Sequence, residues 1–374
     1  MRLLPCLVLA GPVAVCSSTR ALGDLQMPLV GFGTSGVYNA SVILKALETG
    51  YRLIDTALAY GNHRQVGEAL RRSGLPREEV FLVSKVGFFP ATMSIPQKLQ
   101  AHFGHRATLP LPHRVRSPDD PERGGGLNVK GRELEALELS LRELGVEYLD
   151  LCLVHTPVTS ALEFHAGLLP NAYRHGQLPA WSRTMYEGAL RVATASAADP
   201  AASMTQRKQS WQNLETAKLR GLCRHIGVSN YPLELLQELE IYRQEPLFNL
   251  QQEMHPLAPF PEVRAYAAGR NASLTGYGTG LCLDHETPVA IATRLGKTPS
   301  QVLLRWAVQH GIHVVPKTST PERLAENLAA LDFELPAGAM AELDRMDAQG
   351  GPFYWDTSVC VGAAQPGQER RPEL

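Results

Sequence analysis

From residue 28 onward, short apolar runs alternate with amphipathic stretches of helical period, and the alternation persists through eight units. The apolar runs occupy 29–33, 52–56, 80–84, 148–154, 225–229, 248–252, 274–277 and 312–316. Such alternation makes successive strands parallel, because each helix returns the chain to the start of the next strand. Eight units close a parallel sheet on itself. The expected fold class is therefore α/β, a (β/α)8 TIM barrel of about 250 residues with insertions.

The helical stretches carry their own signals. Leu134, Leu137, Leu141 and Leu144 repeat at spacings of three and four, as do Leu324, Leu328 and Leu331. Thr320-Pro321-Glu322 reads as an N-cap followed by a first-turn proline, and Thr298 as the N-cap of a helix over Pro299–Gln309. Two stretches interrupt the rhythm, at about 88–128 and about 157–206. Both are too long for plain connections. Each follows a strand, so each is expected on the C-terminal face of the barrel, as a wall of the site or as surface insertion.

The domain reading is a leader over 1–19, a barrel over 20–350 and a tail over 351–374. In the leader, Arg2 precedes an apolar run too short to span a bilayer, followed by Ala14-Val15-Cys16 as a small-residue cleavage site. A true leader directs the chain to the secretory pathway or an organelle; a plain apolar tail leaves it cytoplasmic. The net charge of −1 gives no footprint for nucleic acid or an anionic membrane. The six cysteines form no CxxC pair, which points to neither a zinc site nor a disulfide framework. His102, His105 and His113 lack a carboxylate or cysteine at ligand spacing, so no metal is expected.

Gly31, Gly33 and Gly36 spell GxGxxG after an apolar run, with Asp55 ending the next one. That is also the pattern of a Rossmann NAD site, in which Asp55 would hold a ribose hydroxyl. Against it stand the unbroken eight-fold rhythm and the residues that end runs two to four. Asp55 ends the second, Tyr60 follows shortly after, Lys85 lies just beyond the third and His155 just beyond the fourth. In a barrel these ends share one rim.

These four residue types suit carbonyl reduction. A proton must reach the oxygen as hydride reaches the carbon, and an unaided phenol, with a pKa of about 10, gives its proton reluctantly. An ammonium such as Lys85 beside Tyr60 favours the phenolate and makes the phenol a better acid. Asp55 would pair with Lys85, and His155 would donate a hydrogen bond to the carbonyl oxygen.

On these residues the chain resembles the aldo-keto reductase family. The matching stretches begin at Met27-Pro28-Leu29-Val30-Gly31-Phe32-Gly33-Thr34 and include Tyr60-Gly61-Asn62, Ile226-Gly227-Val228-Ser229-Asn230, Gln251-Gln252-Glu253-Met254-His255-Pro256 and Val315-Pro316-Lys317-Thr318. The resemblance implies a catalytic set of Asp55, Tyr60, Lys85 and His155. It places Ser229, Asn230 and Gln251 on the nicotinamide carboxamide and Tyr277 on the nicotinamide ring. It sets Lys317, Thr318 and Arg323 around the adenosine 2′-phosphate, with Glu326 and Asn327 near the adenine. Two cations and a hydroxyl near a helix start suit a phosphate, so NADPH is the expected cofactor. The partner is a small-molecule carbonyl substrate, with no membrane span and a monomeric chain. A cofactor-holding regulatory subunit on the same barrel is the other reading.

The sequence departs from the family pattern at Ser35, where tryptophan is frequent, and at Thr156, where His-Trp-Pro is common. His63 replaces an acidic residue, and Gly278 replaces a serine after the stacking tyrosine. The first two changes remove aromatic walls of the substrate pocket, and Phe88, Phe89 or Trp181 from the insertions are candidates to replace them.

Overall fold

In the computed structural model, which describes residues 19–22, 25–88, 128, 130–157, 159 and 200–346, eight strands run parallel in one sheet. They are β3 (Phe32–Gly33), β4 (Leu53–Asp55), β5 (Phe81–Val86), β6 (Leu149–Val154), β7 (Cys223–Ser229), β8 (Asn249–Glu253), β9 (Ser273–Tyr277) and β10 (His313–Val314), each hydrogen-bonded to the next. A parallel bridge between Val30 and Val314 joins the last strand to the first, with Gly31 N donating to Val314 O at 2.8 Å. The sheet is thus a closed (β/α)8 barrel. Ahead of it, β1 (Thr19–Leu22) and β2 (Leu25–Pro28) form an antiparallel hairpin that the sequence did not announce.

The helices follow the strands as α1 (Ala40–Thr49), α2 (His63–Ser73), α3 (Glu133–Leu144), α4 (Pro200–Leu219), α5 (Leu233–Tyr242), α6 (Pro261–Gly269), α7 (Glu286–Leu295), α8 (Pro299–Gln309), α9 (Pro321–Leu328) and α10 (Ala337–Asp344). Helix α8 begins with a reciprocal capping box between Thr298 and Gln301. Thr320 occupies the N-cap position of α9 with Pro321 in the first turn, as expected, although its side chain makes no capping bond. Thr318 Oγ1, two residues earlier, accepts from Thr320 N at 3.0 Å.

Successive side chains of a strand face opposite sides. Leu53, Phe81, Val83, Leu151 and Leu153 pack inside the barrel with Met27 and Val315. Ile54, Leu82, Val86, Cys152, Val154, Ile226, Val228, Leu250 and Leu274 belong to the larger core shared with the helices. This parity fixes the site. Positions 55, 85, 155, 229, 251 and 277 all fall on the inward-facing set, at or just beyond the C-terminal ends of their strands except Gln251, which lies in the middle of β8.

The barrel also settles the glycine motif. A Cβ on Gly31 would lie 2.0 Å from Leu53 Cδ2, and one on Gly33 would lie 2.6 Å from Val315 O. Gly31 thus makes room for the Leu53 side chain of β4, and Gly33 lets the chain approach the backbone after β10 where the sheet closes; they do not open a Rossmann loop. The structure corrects the reading of the cysteines: Cys152 and Cys223 form a disulfide between β6 and β7, with Cα atoms 5.9 Å apart. Their 71-residue separation concealed a neighbour relation that the barrel creates. Among the described residues no helix is long and apolar enough to cross a membrane.

Candidate active site

The buried ends of β4 and β5 bring a carboxylate and an ammonium into contact. Lys85 Nζ donates to Asp55 Oδ1 at 2.5 Å, to Thr56 O at 3.1 Å and to Tyr60 Oη at 3.3 Å. Lys85 is only 1% exposed, which an ammonium tolerates only when it is paired and hydrogen-bonded. Tyr60 arrives on a short 3-10 turn, Leu58–Tyr60, that ends at Gly61 with φ 65°. The left-handed backbone there turns the chain into α2 without the steric cost a side chain would carry. The ring of His155 meets that of Tyr60 edge-on at 5.8 Å between centroids. The structure therefore gathers Asp55, Tyr60, Lys85 and His155 around one point of the rim.

The electrostatics separate the two bases. Burial pulls Lys85 down, but the charges of Asp55 and of an ionised Tyr60 outweigh it and leave its pKa raised. His155 moves the other way: burial, then the positive charges of Lys85 and Lys130, hold it well below its ordinary value of 6.5. At neutral pH the rim thus carries a charged lysine and a neutral imidazole.

Beyond the tetrad, the rim continues around β7 to β9. Gln251 Nε2 donates to Asp55 Oδ2 at 2.7 Å, so the amide holds the carboxylate oxygen facing away from Lys85. Asn230 takes φ 64°, a left-handed conformation uncommon outside glycine. In that pose its Nδ2 donates to His155 O at 2.9 Å and to Ser229 Oγ at 3.2 Å, and its Oδ1 accepts from Tyr277 Oη at 2.5 Å. One side chain therefore links the ends of β6, β7 and β9.

The segment from β10 into α9 has a different character. Lys317 and Arg323 are exposed, and among the described residues neither enters an ion pair. Lys317 Nζ reaches within 3.7 Å of where a Gly36 Cβ would stand, so the first loop and the last approach each other. Two unneutralised cations, the Thr318 hydroxyl and the start of α9 form a donor set that fits an anionic group. Glu326 and Asn327 turn toward α8: Glu326 Oε1 accepts from Thr298 Oγ1 at 2.6 Å, and Asn327 Oδ1 from Ser300 Oγ at 2.9 Å.

Several participants were not read from sequence. Lys130 is buried, donates to Thr156 O and helps keep His155 neutral. The buried trio Glu253, His255 and Cys282 braces the loop after Tyr277: His255 Nε2 lies 3.1 Å from Glu253 Oε1 and its Nδ1 3.4 Å from Cys282 Sγ. The His-Pro stretch gave the one signal that pointed there. Phe88 packs on His155 with ring centroids 4.6 Å apart. Phe89, Trp181, His102, His105 and His113 lie outside the described residues, as do the leader through 18, most of both insertions and the tail.

The family model described as Aldo/keto reductase family matches residues 31–280 and 283–348. An aldo-keto reductase of Mycolicibacterium vanbaalenii is 32% identical over 347 residues, covering 91% of this chain and 95% of the relative. An NADPH-dependent D-xylose reductase of Meyerozyma guilliermondii is 30% identical, covering 88% of this chain and 95% of the relative. Among solved structures, the aldose reductase of Schistosoma japonicum superposes with a TM-score of 0.60 at 26% identity, covering 86% of this chain and 89% of that one. A Bombyx mori aldo-keto reductase does so with a TM-score of 0.64 at 22% identity, covering 89% and 94%.

Proposed function

The chain belongs to the aldo/keto reductase family, and from that membership we propose that it reduces an aldehyde or ketone to the alcohol with NADPH, with Tyr60 giving the proton. The observation that carries this reading is the buried contact of Lys85 Nζ with both Asp55, at 2.5 Å, and Tyr60, at 3.3 Å. The interaction is mutual. A phenolate at Tyr60 stabilises the Lys85 ammonium, so the ammonium equally stabilises the phenolate that proton donation leaves behind.

NADPH supplies the hydride when bound. The protein's own part is to place the carbonyl and move one proton. The carbonyl oxygen sits between Tyr60 Oη and the neutral imidazole of His155, and both donate hydrogen bonds to it. As negative charge grows on that oxygen, the Tyr60 proton passes to it and the alcohol forms. The nearby ammonium, buried with the site, acts on this charge at low effective dielectric. Asp55 keeps Lys85 in place through one oxygen while Gln251 holds the other.

Ser229, Asn230 and Gln251 would bind the carboxamide of the cofactor, and Tyr277 would stack on its ring. Lys317, Thr318 and Arg323 would take the 2′-phosphate, with Glu326 and Asn327 toward the adenine. The unpaired cations favour NADPH over NADH. The Meyerozyma guilliermondii relative is named as NADPH-dependent and the Candida tropicalis one as NAD(P)H-dependent, which supports a nicotinamide cofactor.

The test is oxidation of NADPH and NADH by the purified chain across a panel of aldehydes, ketones and aldoses. Turnover with NADPH at a kcat/KM at least about tenfold above that with NADH is expected. Absence of turnover across the whole panel overturns the reading, and equal use of both cofactors overturns the role given to Lys317 and Arg323.

A further inference from the structure

His63 departs from the family pattern, and its position gives it a task. The turn that carries Tyr60 is anchored at its far end by two consecutive side chains. Asn62 Nδ2 donates to Thr34 O at 2.7 Å and to Val37 O at 2.9 Å, and its Oδ1 accepts from Thr56 Oγ1 at 3.0 Å. This ties the turn to the first two strand ends. His63, the next residue, reaches a different strand: its Nε2 lies 3.0 Å from Ser84 Oγ. Ser84 immediately precedes Lys85, and by strand parity it faces outward where Lys85 faces in. One bond between α2 and β5 therefore sets the base of the Tyr60 turn against the backbone that carries Lys85.

The ring makes this contact without charge. His63 is 1% exposed, and burial, with the Lys85 charge second, lowers its pKa from 6.5 to about 3. The carboxylate on the Nδ1 side favours the neutral tautomer with the proton on Nδ1, which leaves Nε2 to accept from the Ser84 hydroxyl. Its Nδ1–H then points toward Glu143 Oε2 of α3, 3.9 Å away, whose other oxygen is held by Arg64 at 3.2 Å. Lys85 in turn faces Asp55 on β4 and Tyr60 on the turn.

We propose that His63 is a positioning residue of the proton-donor pair: through Ser84 it fixes the Tyr60 turn against the Lys85 strand. This rests on the reading of Tyr60 as proton donor. A carboxylate at 63 would also accept from Ser84, but it would bring a second negative charge toward Lys85 and Tyr60. That charge would stabilise the protonated phenol and make it a weaker acid.

The experiment uses the full chain with NADPH and an aldehyde, reading kcat against pH, KM and NADPH affinity for five variants. His63→Ala and Ser84→Ala are each expected to lower kcat by about tenfold with NADPH Kd within about twofold of wild type. The double variant is expected to be no worse than either alone, because both remove one bond. His63→Gln, whose amide reaches the position of Nε2, recovers most of the loss. His63→Glu keeps an acceptor for Ser84, and its alkaline fall in kcat moves to higher pH by about half a unit or more.

Wild-type kcat in both His63→Ala and Ser84→Ala overturns the positioning role. An unmoved alkaline limb in His63→Glu overturns the charge argument. Should His63→Ala fail to fold, Ser84→Ala probes the same bond from the other side. A Tyr60→Phe control separates the two readings. If it turns over like wild type, the proton-donor reading falls and this proposal falls with it; if it is inactive while the His63 and Ser84 variants behave as wild type, this proposal falls alone.

Discussion

The rim around β4 to β6 and the segment from β10 into α9 are both rich in charge, yet they treat it in opposite ways. Asp55 and Lys85 are buried, paired at 2.5 Å and surrounded by further donors and acceptors. Lys317 and Arg323 stand exposed, and among the described residues no carboxylate neutralises them. On the proposed function, the charge that serves the chemistry is pre-paired by the protein, whereas the charge proposed to hold an anionic ligand is left to meet it. The two regions should therefore fail differently when they are altered.

The largest effect is expected at the buried pair. Lys85→Met should lower kcat by about a thousandfold or more, since a proton donor loses its supporting cation. It should also cost about 3–5 kcal/mol of stability, because Asp55 is left buried without a counter-charge. Asp55→Asn combined with Lys85→Met should recover much of the stability in urea titrations and none of the turnover. Recovery of activity, or no loss of stability in the single variant, would break the contrast at this end.

At the other end, replacing Lys317 and Arg323 together with alanine should raise the NADPH Kd by about 10- to 100-fold. Binding of NADH should change by less than about twofold, and the urea midpoint should stay put, as for an exposed surface change. Titration of both cofactors against wild type and the double variant checks this. A stability loss comparable to that of Lys85→Met would show that the two regions are built alike.

A smaller effect sharpens the buried side. His63 and His155 are held neutral in the fold, His63 down to about pH 3, while the unfolded chain protonates them near 6.5. Below that pH the unfolded state binds more protons, so stability falls as pH falls. His255 acts in the opposite sense. Burial alone would lower it, but its bonds to Cys282 and Glu253 raise its pKa to about 9, so its contribution is present below 6.5 and is lost as pH rises through 9. Between pH 6 and 5 the wild type should lose about 1.4 kcal/mol per pH unit more than His63→Gln, measured as urea stability. Equal slopes would mean that the imidazole is solvated.

The contrast also explains what could be read from sequence. All eight strand runs were legible, because a barrel strand is a short apolar run between amphipathic helices. The strand-end residues Asp55, Lys85 and His155 were legible because their chemistry is unusual beside such runs. What stayed hidden depends on closure. The bond from Gln251 to Asp55 spans 196 residues, and the Cys152–Cys223 disulfide 71. Neither has a local spacing to betray it. The same holds for Lys130, whose effect on His155 exists only once β6 and the start of α3 are side by side. At Thr320 the local signal placed the N-cap correctly, while the bond from Thr320 N to Thr318 Oγ1 was not part of it.

The central claim is that Tyr60 delivers the proton while other residues hold the cofactor. Its most direct test compares wild type and Tyr60→Phe in aldehyde reduction, with the NADPH Kd of each measured by fluorescence titration. The account predicts a fall in kcat of about a thousandfold, with the Kd unchanged within about twofold. A Tyr60→Phe enzyme that reduces the aldehyde at the wild-type rate would contradict it.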